Sequence, residues 1–113
     1  MGANFSRRPT PRPVQRALRE VADDVTAWRK LRGLTQDQVA DRAGVATNTV
    51  RRLEDGDAGV SLGNLLRVLR SLGIVDSLLR SLDPYESDVG RLRADQQLPQ
   101  RIRHKPLTRE PHD

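Results

Sequence analysis

Of the six residues Thr47-Asn48-Thr49-Val50-Arg51-Arg52, all but Val50 carry side-chain hydrogen-bond donors. An asparagine amide offers a donor and an acceptor side by side, the pair that matches N6 and N7 of adenine, and an arginine forks onto O6 and N7 of guanine. Threonine meets a thymine methyl group or a phosphate oxygen. On a helix, Asn48 and Arg52 lie one turn apart on the same side, while Ala46, Val50 and Leu53 turn the other way. Arg51 is long enough to reach a base edge or the backbone. Taken alone, such a run describes an ordinary solvated helix face. Its meaning depends on the elements that hold it.

Those elements are legible in residues 34–56. Thr35 followed by Gln38 is a capping box, which predicts a helix starting at Gln36. Val39, Ala40 and Ala43 give that helix a narrow apolar face, and Gly44 supplies the residue best able to take positive φ after it. A second short helix is predicted at 47–54. Two short helices joined by a tight glycine turn, the second one polar and basic outside, form a helix-turn-helix pattern.

The text Leu34-Thr35-Gln36, Ala40, Ala43-Gly44-Val45, Thr49-Val50, Leu53-Glu54 and Gly56 resembles the Cro and phage-repressor (XRE-like) family. The resemblance implies an all-α, five-helix, lambda-repressor-like domain. It also implies a homodimer that binds a pseudo-palindromic operator in double-stranded DNA and regulates transcription. By the same resemblance, bases are read from the positions of Ala46, Thr47, Asn48 and Arg52, and Gln36 matches a phosphate-contacting glutamine. Some family members join the positions of Arg29 and Glu54 by a partly buried ion pair, which makes these two structural. Two departures stand out. Ala46 replaces the usual Ser or Thr cap, and Asp55 and Asp57 put negative charge into a loop that often lies near the DNA backbone. A weaker similarity, from Gly59 through Leu72 and in the tail, points to HipB-like antitoxins, which implies a toxin partner as the alternative.

Around this centre, residues 14–32 read as a long helix with Val14, Leu18, Val21, Val25, Trp28 and Leu31 on one stripe and Gly33 at its end. Trp28 is expected as a core anchor. Ser61 is placed to cap a helix over 62–72 whose Leu62, Leu65, Leu66, Leu69 and Leu72 face the core. A fifth helix over 74–82 has a broad apolar set. Ile74, Val75, Leu78, Leu79 and Leu82 exceed what one core contact needs and suit a symmetric dimer interface. Asp83-Pro84 ends it. Residues 84–113 read as a polar, basic, largely flexible tail with a short helix near 88–96.

The chain has 20 Lys+Arg against 15 Asp+Glu, a net charge of +5, and the excess is concentrated at the ends. Arg7, Arg8, Arg12 and Arg16 occur without an acid in residues 1–16, and Arg101, Arg103, Lys105 and Arg109 without one in 98–109. Residues 1–13, with Pro9, Pro11 and Pro13, read as an extended arm whose Arg7, Arg8 and Arg12 can follow phosphates. There is no cysteine, which suits a reducing cytoplasm. No apolar run approaches the ~18 residues of a membrane span. The two histidines, His104 and His112, both lie in the tail, and no catalytic constellation, metal-ligand spacing or cofactor motif is evident.

Overall fold

Pro11 and Pro13 bracket the start of the first helix, where a missing backbone N–H costs nothing. In the computed structural model, which describes residues 8–97, this helix is α1, Arg12–Leu31. It begins two residues earlier than its sequence predicts, so Arg12 belongs to the helix and not to the arm. There follow α2 (Gln36–Ala43), α3 (Thr47–Glu54), α4 (Leu62–Leu72) and α5 (Val75–Leu82), then a 3-10 turn at Pro84–Glu86 and α6 (Asp88–Gln97). The described residues contain no strand. The chain divides into two compact units, at Val75.

In the first unit, caps set the boundaries. Thr35 Oγ1 accepts from the Gln38 backbone N–H at 3.1 Å, and the Gln38 side chain accepts from the Thr35 N–H at 2.9 Å, which closes the capping box. Gly44 ends α2 at φ 73°, a conformation that any Cβ would strain, and so lets the chain turn within three residues into α3. Ser61 Oγ accepts from the Asn64 N–H at 3.1 Å and starts α4.

The core of this unit is Ala22 and Val25 of α1, Val39 and Ala40 of α2, Val50 and Leu53 of α3, and Val68, Leu69 and Leu72 of α4. All four helices contribute, with α2 against α3 and α4, and α1 against the same two. Burying each such Val or Leu side chain contributes about 1.5–3 kcal/mol. Three expectations are corrected here. Only Val25 of the expected α1 stripe is buried; Val14, Val21, Trp28 and Leu31 are exposed, Leu31 by 75%. Leu18 of that stripe is half-buried, and Ala22 with the half-buried Thr26 and Arg29 face inward in place of the others. Leu62 is 67% exposed, and Val68 at 0% takes the central place on α4. Ala46 is exposed at the start of α3 and does not point inward.

In the second unit, Asp83 Oδ1 accepts from the Tyr85 N–H at 2.9 Å and starts the 3-10 turn. Arg91 then ties α6 back to it, donating to the Tyr85 carbonyl at 2.8 Å and pairing with Asp88. Ala94 is buried, whereas Val89 and Leu92 are 67% and 61% exposed. Of the expected interface residues, Leu78 is half-buried and Leu79 and Leu82 are 52% and 70% exposed; Ile74 and Val75, at the end of the first unit, are half-buried.

Candidate nucleic-acid interface

The donor-rich face of α3 is held from behind. Val50 (0% exposed) and Leu53 (6%) anchor the helix in the core. Glu54, at its end, receives Arg29 Nε on Oε2 at 2.7 Å and Arg29 Nη2 on Oε1 at 3.0 Å. Gln36 Nε2 adds a bond to the same Oε1 at 3.0 Å, and Arg29 Nη1 donates to the Leu34 carbonyl at 2.9 Å. One guanidinium thus fastens α1, the following turn and α3, and one carboxylate fastens α3 to both α1 and α2. The two side chains are only 13% and 6% exposed, so the pair is largely withdrawn from water. Burial disfavours the charged form of Glu54. The hydrogen bonds from Arg29 and Gln36, the Arg29 charge and a contribution from Thr26 outweigh it and hold the carboxyl below its ordinary value. The bond to Glu54 likewise raises Arg29, against a smaller effect of burial.

On the outer face, Asn48 and Arg51 are exposed and Thr47, Thr49 and Arg52 are half-buried. Arg51 Nη1 donates to Asn48 Oδ1 at 2.9 Å, an i, i+3 pair that the spacing already allows. An amide oxygen has two lone pairs, so Asn48 keeps an acceptor site and both amide hydrogens. Arg52 Nε donates to Asp57 Oδ2 at 2.8 Å, and Asp57 Oδ1 accepts from the Gly59 N–H at 2.7 Å. Those bonds, Arg52 first, hold the Asp57 carboxyl below its ordinary value. Asp57 is therefore neutralised by its own chain. Its partnership with Arg52 spans a helix end and a loop, so no periodicity along the chain signals it.

Gln36 is half-buried, and its amide serves Glu54; one hydrogen on that nitrogen remains for a phosphate. Arg8 is exposed and Arg12 is the first residue of α1, while Arg7 lies outside the described residues. Two further arginines brace the frame. Arg19 Nη2 donates to the Asp55 carbonyl at 3.2 Å, which seats the first turns of α1 on the loop after α3. Arg32 Nε donates to the Leu72 carbonyl at 3.0 Å and places its guanidinium 5.1 Å from the centre of the Trp28 ring. Among the described residues, no group of three or more His, Asp or Glu is placed to hold a metal ion, and no helix is long and apolar enough to cross a membrane.

No curated protein and no solved structure matches the chain. The helix-turn-helix family model matches residues 25–77, which begin in α1 and run through α2, α3 and α4 to the first turn of α5. The capping box, the glycine turn and the core-anchored α3 all fall inside that span. Residues 25–77 are a Cro/C1-type (XRE) helix-turn-helix domain, and that domain supports a DNA-binding transcription regulator.

Proposed function

We propose that the protein acts in the cytoplasm as a homodimeric repressor of its own or a neighbouring promoter, with α3 of each copy in the major groove of a pseudo-palindromic operator. The observation that carries this reading is the outer face of α3. Asn48, Arg51 and Arg52 stand together there, on a helix fixed to its neighbours by Arg29 and Glu54. In this reading Asn48 pairs with adenine, Arg52 with guanine, and Thr47 and Arg51 complete the base contacts. Gln36, Thr49, Arg7, Arg8 and Arg12 contact phosphates. Two copies joined through Ile74, Val75, Leu78, Leu79 and Leu82 place two α3 helices on successive half-sites.

The test is selection of duplexes from a random-sequence pool, followed by binding to the recovered duplex and its single-base-pair variants. Arg52→Ala should cost about 1–3 kcal/mol on the recovered duplex and relax preference at one base pair. An equal loss on every sequence would make Arg52 a phosphate contact. The antitoxin reading draws on a separate observation, the exposed Val89 and Leu92 of α6, which offer a partner protein an apolar pair. A toxin-sized reading frame beside the gene, whose product co-purifies with this chain, would favour it.

A further inference from the structure

Asp57 uses both carboxylate oxygens within a few residues of the end of α3. Oδ1 accepts from the Gly59 backbone N–H at 2.7 Å, which fixes the carboxylate to the loop. Oδ2 accepts from Arg52 Nε at 2.8 Å, which fixes the guanidinium to the carboxylate. Asp57 is the one hydrogen-bond partner of Arg52's guanidinium among the described residues, so Nη1 and Nη2 remain as the open end of the fork. Gly59 completes the arrangement by leaving space. A Cβ at that position would stand 2.9 Å from Arg52 Nη2 and 3.1 Å from Asp57 Oδ1. An arginine is a long side chain with many rotamers, and ordering it before contact removes part of the entropy lost on binding.

We propose that Asp57 is a positioning residue for DNA readout. It touches no base itself, and it holds Arg52 so that Nη1 and Nη2 meet one base pair in a single orientation. This rests on the reading of Arg52 as a base-contacting residue. The opposite role, a negative charge that repels the DNA backbone, sits poorly with a carboxylate whose two oxygens are both engaged. The acid that stood out as a departure from the family's text therefore becomes a determinant of specificity.

The probes are the duplex recovered by the wild-type protein from a random-sequence pool, its variant at the base pair read by Arg52, and an unrelated duplex. Asp57→Ala is expected to weaken binding to the recovered duplex about tenfold and to bring its ratio to the variant duplex towards one. Binding to the unrelated duplex should hold or rise. In an Arg52→Ala background, Asp57→Ala should cause no further loss. Gly59→Ala, which keeps the acid but crowds both Nη2 and Asp57 Oδ1, should relax the same base pair, and matching thermal melts check that both variants fold. The proposal is overturned if Asp57→Ala raises affinity equally for all three duplexes, or loses the same factor in the Arg52→Ala background. If Arg52→Ala is selective and Asp57→Ala is not, the positioning role alone fails. If Arg52→Ala loses equally on every duplex, base reading by Arg52 fails and the positioning role with it.

Discussion

Replacing Glu54 with Ala removes the acceptor of two Arg29 bonds and of Gln36 Nε2, and leaves a guanidinium that is 13% exposed without its counter-charge. Breaking a withdrawn pair in this way should cost about 3 kcal/mol, read by urea titration. An exposed pair such as Arg91–Asp88 is worth about 0–1 kcal/mol. The same carboxylate gives the fold a pH dependence. Its folded pKa lies below the ordinary 4.5, so the unfolded chain takes up the proton first. The stability it contributes is therefore whole above pH 4.5 and is lost as pH falls from there through the lower folded value. Melting temperatures from pH 6 downwards should fall more steeply for wild type than for Glu54→Gln. Parallel curves would mean that other carboxylates govern the acid transition.

At the scale of elements, α3 differs from its neighbours in how it starts. Thr35 and Ser61 each accept from the N–H three residues on, whereas Ala46 has no side chain that can. Ala46 nevertheless holds φ −70° and ψ 148°, close to the −68° and 153° of Ser61. The backbone is already set for a cap, so Ala46→Ser should stabilise the protein by about 1 kcal/mol, seen as a higher melting temperature. An unchanged melt would mean that the Thr49 N–H is not available to the hydroxyl. Caps also explain what was legible in the sequence. The starts of α2 and α4 follow from Thr35 and Ser61, and the turn between α2 and α3 from Gly44, because those signals are local. The inward face of α1 was not legible. Its apolar residues wrap far enough round the helix to permit two phases, and the phase adopted turns Thr26 and the charged Arg29 inward, towards a carboxylate 25 residues away. The donors of α3 were readable by type, but the attachment of Arg52 to Asp57 and of Gln36 to Glu54 depends on where a loop and a second helix come to lie.

For the whole molecule, the proposed homodimer requires a surface that joins two copies. On the reading proposed above it is α5, where Leu79 and Leu82 are the most exposed of the five apolar residues. Changing both to Asp should yield a monomer by sedimentation, with operator affinity reduced because two half-sites are no longer linked, and with the melt of the first unit little altered. If the double variant still sediments as a dimer, the exposed Val14, Val21 and Trp28, spaced seven residues apart along α1, are the next surface to change.

The bond from Arg32 to the Leu72 carbonyl has one more consequence, and it is optical. Trp28 is the chain's single tryptophan, and the guanidinium that closes the end of α4 is the same one that lies over its ring. Its fluorescence therefore reports, without any label, whether the ends of α1 and α4 are joined. The indole loses this cationic neighbour when Arg32 lets go of Leu72, so emission should change then, even if the rest of the unit stays folded. The protein carries its own gauge of that joint, one that can be watched while DNA is added.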